Sequence, residues 1–443
     1  MEDEKSLDVP DRAENFFPHS VRAARRKNHR GSLALLILFR VTRSIAGGMM
    51  IVALPYLVLN TLHDSALDLG AIYVMGVMST AVLAVGAGHL SDRWDHKATL
   101  LLTGAMVPIS ALMVYVNQSF PMLLAASVVG GFAATGSLIG GGVGGAAQPV
   151  QTSVIARLST ADNRTRYYSV LAFLSGVAGA AGALLVHYFS IRNTFLAACI
   201  ISLAGMVFLS FLRIPEYVAA QSIARKQSNR AIRHFSITGA LNGLSQGLIT
   251  PFLIPFFVLV YHLSKSRMAV YTAIGSILAS IALLAAPALE QRLGFVRSIT
   301  FTRALGTALL LLMAVWHNLW IGLIIYLITP ALRIAALPAQ QSAIINRVEG
   351  QSMGRALAMN QVTRLSASSI AMICTGFLFD ISEIEMPFFL YAGVMAVNIY
   401  LYYRFFGHDG QNGAVEPIPA IEHSAPEEKP VNVEVLAERP ASD

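Results

Sequence analysis

The sequence is short of charge. Only 13% of its 443 residues are Asp, Glu, Lys or Arg, where a soluble globular chain carries roughly 25%. It is shorter still of carboxylates where they would matter: Asp68, Glu290, Glu349, Asp380 and Glu385 stand at the ends of apolar runs, and none stands in the middle of one. That pattern argues against catalysis by paired carboxylates at membrane depth. It also leaves no buried acid of the kind a proton-coupled carrier titrates. The two cysteines, Cys199 and Cys374, lie in apolar runs of different halves. They are expected as buried thiols, with no disulfide framework and no metal site; no cofactor is expected either.

What is plentiful is apolar. The chain is 55% hydrophobic and holds 34 glycines, a residue that membrane helices use for close packing. Its net charge of +7 is carried by basic residues in short loops between apolar runs. Membrane orientation produces that distribution, and nucleic acid is not expected as a partner. The first apolar run begins near residue 33 and is far longer than the core of a cleavable signal peptide.

The spacing predicts an all-α polytopic membrane protein with about twelve transmembrane helices in two pseudo-symmetric six-helix bundles. The spans run roughly 33–60, 67–90, 98–116, 121–147, 166–189, 194–213, 235–262, 269–289, 298–316, 319–345, 354–380 and 386–405. Charge checks their parity. Arg93 and Lys97, Arg157 and Arg164, Arg225 and Lys226, Arg292 and Arg297, and Arg347 and Arg355 fall on one side, against Arg192, Lys265 and Arg267 on the other. The rule that basic loops stay inside then places both termini in the cytoplasm, in a cell (inner or plasma) membrane. The domains follow: a basic N-terminal segment 1–32, suited to anionic lipid headgroups; bundles at 33–213 and 235–405; a cytoplasmic linker 214–234; and a polar tail 406–443 expected to be disordered.

The halves echo each other. At an offset of 200, Gly47 pairs with Gly247, Pro55 with Pro255 and Tyr56 with Phe256, and PVQTSVI (149–155) resembles PAQQSAI (338–344). Such order suggests a duplicated six-helix unit. The run GGGVGG (140–145) formally fits a dinucleotide fingerprint, but no strand or βαβ unit surrounds it. Gly136, Gly140 and Gly144, and likewise Gly176, Gly179 and Gly182, read as small-residue stripes for helix contact. Pro55, Pro251 and Pro255 interrupt the first and seventh spans, as hinges or as packing kinks.

Charges inside spans are the most informative residues. Arg40 and Arg43 lie one turn apart, and Arg43 falls on the order of 15 Å from the cytoplasmic end at 1.5 Å rise per residue. Arg333 and Arg364 fall well inside spans ten and eleven. Each costs roughly 2.5–3.5 kcal/mol at a helix centre, so each needs a cavity or a partner. They are candidates for a positively lined substrate path, or for structural ties to backbone carbonyls. Asn242, Gln246 and Thr250 share a face of span seven with Ser245 nearby; Asn360, Arg364 and Ser368 follow at four-residue spacing in span eleven; Gln148, Gln151 and Gln340 add polar groups in spans four and ten. A cavity lining and helix-to-helix hydrogen bonds both fit these residues. His187 and His262 are the remaining candidates for handling a coupling proton or ion, and a packed histidine reads the same way.

Between spans two and three lies GHLSDRWDHK, residues 88–97, whose charges cannot rest in hydrocarbon and which is expected as a tight cytoplasmic hairpin. Gly88, Leu90, Asp92, Arg93 and Lys97 resemble the signature loop of the major facilitator superfamily, with Asp95 and His96 in place of the usual Gly and Arg. A worn copy follows span eight, keeping Leu289, Arg292 and a glycine at Gly294, with Gln291 where the first copy has Asp92. The resemblance covers roughly residues 33–405. It implies two bundles that rock about a central site lined by spans one, four, seven and ten. It also implies that Asp92 gates the inner face against the N-terminal end of span eleven, where a carboxylate gains from the positive helix end. The family's drug–proton antiporters carry an Arg in span four and a proline-containing signature in span five; ASVVGGFAATG has no Arg and span five has only the glycines.

The leading reading is a secondary carrier of a small solute, with the arginines slightly favouring an anionic or amphipathic one; it is not an enzyme. A multidrug efflux-type antiporter is the alternative. A membrane-embedded enzyme or a non-transporting sensor are the readings from other classes. The chain is expected to work as a monomer.

Overall fold

A computed structural model of the chain describes residues 19–93, 96–132, 150–151, 154–155, 161–212, 229–335 and 352–406. Among the described residues all regular structure is helical. The order is α1 (His19–Tyr56), α2 (Ala66–Arg93), α3 (His96–Val116), α4 (Phe120–Gly130), α5 (Ala161–Leu185), α6 (Ile191–Ser210), α7 (Asn229–Ile249, resumed at Leu253–Tyr261), α8 (Lys265–Leu293), α9 (Phe295–Val315), α10 (Leu319–Ala335), α11 (Ser352–Asp380) and α12 (Met386–Phe406). Nine stretches of these helices are long and apolar enough to cross a membrane, and α4, α5 and α10 add shorter apolar helices. Ile200, Val207, Ile281, Leu284 and Ile370 lie exposed on the surface. Large apolar side chains belong there when the solvent is lipid.

Local chemistry sets the helix boundaries. Ser190 caps α6 by accepting from the Asn193 N–H, and Ser65 and Asp68 hydrogen-bond reciprocally at the start of α2. In α7, Pro251 lacks the N–H that an uninterrupted helix needs, and the chain tightens into a 3₁₀ turn at Thr250–Phe252. In α1, Pro55 is followed by a π turn at Leu57–Leu62. Both helices then end on a left-handed histidine, His63 at φ 57° and His262 at φ 47°. The prolines are offset by 200 and the histidines by 199, so α1 holds one extra residue, which a π turn absorbs. Asn117 and Asn318 repeat the correspondence, each accepting a backbone N–H two residues on, at the α3–α4 and α9–α10 turns.

Among the described residues the bundles meet mainly where α2 packs on α11 and α5 on α8, with smaller contacts from α1 to α8 and to the second segment of α7. At the end where α1 finishes, Asp380 of α11 accepts from the backbone N–H of Ala66 at 2.7 Å and of Leu67 at 3.1 Å, capping α2 across the halves. Tyr56 Oη donates to the Leu263 carbonyl at 2.7 Å, and Lys265 Nζ donates to the carbonyl of Phe189.

α4 ends at Gly130, where Gly131 turns the chain at φ 61°, a value most side chains resist; the remainder of span four, drawn to 147, lies outside the described residues from 133 on. Two expectations change. His187 sits exposed in the turn after α5 rather than within it, because that helix stops at Leu185. Cys199 is buried, whereas Cys374 is exposed: an apolar run in a membrane protein has a lipid-facing side as well as a core side.

Candidate functional site: a cleft walled by arginine

The break in α7 positions the site. Its first segment presents Asn242 and Gln246, one turn apart, to a cleft between the helices of the C-terminal half. The opposite walls are Thr302, Arg303 and Gly306 of α9, Thr329, Leu332 and Arg333 of α10, and Tyr391 and Met395 of α12. Arg333 Nη1 donates to Thr250 Oγ1, at the turn where Pro251 interrupts α7. Arg303 is buried; its Nη1 donates to Asn398 Oδ1 at 2.6 Å and its guanidinium lies 4.3 Å from the centre of the Tyr402 ring. Asn398 passes the contact on, donating from Nδ2 to the Thr238 carbonyl of α7 at 3.1 Å. Tyr391 shares a hydrogen bond with Thr307 and lies within electrostatic reach of both arginines. The cleft thus presents two guanidiniums, two amides and a phenol, with Leu332 and Met395 as apolar surface. Such a wall can take up a solute carrying negative charge and an apolar body.

The other in-membrane arginines lie elsewhere. Arg40 and Arg43 are buried in the N-terminal half. Arg40 Nε donates to Ser175 Oγ of α5 at 3.0 Å, and its Nη1 to Gln151 Oε1 at 2.8 Å. Arg43 Nη1 and Gln151 Nε2 are buried without a hydrogen-bond partner among the described residues. Arg364 is half-buried and its Nη2 donates to Gln361 Oε1 on its own helix at 2.8 Å. Its backbone lies against α7, where a Cβ on Gly243 would stand 2.0 Å from the Arg364 carbonyl oxygen. Ser368 meets Gly247 in the same way, through its carbonyl oxygen, while at Gly239 the Asn360 side-chain amide fills the space a Cβ would take. That stripe of α11 therefore runs along the seam with α7, and Asn242 and Gln246 occupy another face of α7. Ser245 Oγ turns back to the Asn242 carbonyl.

The signature residues Gly88, Leu90, Asp92 and Arg93 belong to the last turns of α2, and Lys97 to the first turn of α3. Most of the motif is thus helical, and Trp94 and Asp95 lie outside the described residues. Leu289, Gln291 and Arg292 occupy the end of α8, with Arg292 exposed. Gly294 starts α9 at φ 76°, a backbone that favours glycine. Gln148 and Gln340 lie outside the described residues, as do Gly136, Gly140 and Gly144 of the glycine-rich run.

Arg303, Tyr391 and Asn398 were missed in the sequence. Arg303 sits near the start of span nine in SITFTR, where a basic residue reads as a helix-end anchor. A lone Asn in the apolar run of α12 was the matching signal: a buried amide needs a partner, and a buried arginine on another helix is one.

No curated protein matches the sequence. Solved structures match the fold at low identity. The nucleoside transporter NupG is 14% identical, with a TM-score of 0.65 over 85% of this chain and 99% of its own. The D-xylose–proton symporter is 14% identical, at 0.64 over 86% and 97%. The human organic anion transporter MFSD10 is 14% identical, at 0.60 over 84% and 99%. Three cargoes on one fold show that the architecture does not choose the solute. The family model described as Major Facilitator Superfamily matches residues 36–329 and 235–440. Twelve helices, the signature residues at the α2–α3 junction and this match agree: the chain belongs to the Major Facilitator Superfamily and is an integral membrane transporter, not an enzyme.

Proposed function

We propose that the protein carries a small anionic or amphipathic solute across the membrane by alternating access. The observation that supports the cargo class is the cleft wall, where Arg303 and Arg333 converge with Asn242, Gln246 and Tyr391 while no span of the sequence holds a central carboxylate. A cationic solute would be repelled by the two guanidiniums there, whereas an anion gains charge-assisted hydrogen bonds. Leu332 and Met395 favour a cargo with an apolar part. Arg333 reaches Thr250 at the break in α7, so a solute that draws on Arg333 also acts on the helix that must move.

Orientation and gating complete the proposal. The charge bias of the loops supports both termini in the cytoplasm of a cell membrane, with the basic N-terminal segment near lipid headgroups and the carrier acting as a monomer. Asp92 acts at the inner gate, and a proton or ion is coupled through groups other than an acid in the spans.

Uptake of a labelled organic-anion panel into proteoliposomes tests the cargo. Arg333→Ala is expected to lower uptake at least about tenfold, the equivalent of about 1.4 kcal/mol of solute binding. Uptake indifferent to that change overturns the anion assignment. Asp92→Asn is expected to slow turnover several-fold while solute binding persists; unchanged turnover removes Asp92 from the gate.

A further inference from the structure

The interior of the N-terminal bundle holds two guanidiniums one turn apart, at Arg40 and Arg43, both more than nine-tenths buried. An arginine keeps its proton in a protein, so neither can shed its charge. Nor can the chain neutralise them with an acid of that half. Between Gly31 and Arg213 the carboxylates are Asp64, Asp68, Asp92, Asp95 and Asp162; Asp64, Asp68, Asp92 and Asp162 stand at helix ends or turns, and Asp95 lies outside the described residues. The spans between contain none.

Arg40 has hydrogen bonds to Ser175 and Gln151. Because Gln151 Oε1 accepts from Arg40, the orientation of the amide is fixed and Nε2 is the end left over. That Nε2 and Arg43 Nη1 are both buried, both donors and both without an acceptor among the described residues. A water molecule could accept from them, but it would bring no negative charge to the buried Arg43 guanidinium in a low-dielectric interior. An anion supplies the acceptors and the charge together.

We propose that Arg43 and Gln151 form an oxyanion-binding site in the N-terminal bundle, with Arg40 holding the Gln151 amide in the donating orientation. The occupant is a carboxylate or a tetrahedral oxyanion, accepting from Arg43 Nη1 and Gln151 Nε2. The site goes beyond the cleft reading, since its residues lie on helices of the other half. Loss of uptake in Arg333→Ala with an intact oxyanion response separates the two.

The test is the melting temperature of the full-length protein in detergent, titrated with sodium phosphate against sodium chloride at matched ionic strength. A ligand that binds only the folded state raises that temperature as its concentration passes the dissociation constant. The wild type is expected to melt a few degrees higher in saturating phosphate than in chloride, and Arg43→Met to lose the difference. Gln151→Glu guards against a variant that merely misfolds. Its carboxylate keeps the bond to Arg40 and brings the negative charge into the chain, so this variant is expected to melt above the wild type in chloride and to ignore phosphate. Benzoate in place of phosphate separates the sources. Stabilisation by benzoate alone identifies the acid group of an organic solute, and stabilisation by phosphate identifies a free inorganic oxyanion as an occupant. A wild type that responds to neither overturns the site and leaves a bridging water. So does a response that survives in both variants, or a Gln151→Glu protein less stable than the wild type.

Discussion

The two bundles use one packing device to different ends. In the N-terminal half, α1 meets α5 through glycine on both sides: a Cβ on Gly48 would stand 2.1 Å from the Gly179 carbonyl oxygen, and one on Gly182 would stand 2.0 Å from that of Ile45. In the C-terminal half, α7 alone supplies the glycines, Gly239, Gly243 and Gly247, beneath the polar stripe of α11. At an offset of 200, Gly243 of α7 stands where α1 has Arg43. The duplicated unit thus kept the close approach of its helices but redistributed the polar groups. The first half seals two arginines inside and ties one of them; the second places Arg303 and Arg333 in the wall of a cleft. In both halves glycines carry the close helix contacts, while the buried arginines are placed differently in each.

The largest effect should come from breaking the seams. Gly182→Val and Gly243→Val each drive a side chain into backbone that cannot yield like a flexible side chain, a change worth about 1–3 kcal/mol or more. Both are expected to lose the monodisperse peak on size-exclusion chromatography, while Gly393→Val, which meets open space, keeps it. Survival of one seam variant but not the other would show that the two seams are not equivalent.

The buried arginine ties should rank next, and unequally. Asn398→Leu removes the amide that serves Arg303 and reaches α7, leaving a buried cation short of an acceptor at a cost of about 1–3 kcal/mol. Ser175→Ala leaves Arg40 its bond to Gln151 and should cost less, about 0.5–1.5 kcal/mol. Thermal unfolding of the two variants checks the order, and a reversed order would place the more important tie in the first half.

At the joint between the bundles the effect is expected on opening more than on overall stability. Asp380→Ala removes the cap on α2, a contact worth about 0.5–2 kcal/mol, so the opening equilibrium at that end should shift several-fold. A Tyr73→Cys probe in a Cys374→Ser background reports it, because Tyr73 is buried near the seam and the native Cys374 is exposed. An unchanged labelling rate would assign the joint to helix packing at Gly70 and Gly376 instead.

Much of this architecture was legible in the residues. The apolar runs gave the helices, the prolines of spans one and seven gave the correspondence between halves, and Asp92 with its neighbours carried the family resemblance. A close helix contact on α5 was legible in Gly179 and Gly182, because a stripe of small residues has one principal use in a membrane helix; that α1 makes it was not. The site was legible only in part. Asn242, Gln246 and Arg333 were visible as polar groups in apolar runs, but their convergence with Arg303 and Tyr391 was not, since those residues come from four helices whose mutual rotation no single helix encodes. Arg364 shows the converse: its spacing matches that of a lining residue, yet the α7 glycines draw its backbone into a seam.

By itself the sequence determined that the chain crosses a membrane, that it does so about twelve times, and that no carboxylate reaches the middle of a span. Those properties follow from composition and order along one dimension, because burying a charge or an unpaired backbone group in lipid is costly wherever it falls. Only the tertiary structure decided which arginines share a cleft, which are tied off, and where Asp380 joins the halves. Those depend on which face each helix turns to its neighbours, and in this protein that is set by glycines that let one backbone lie against another.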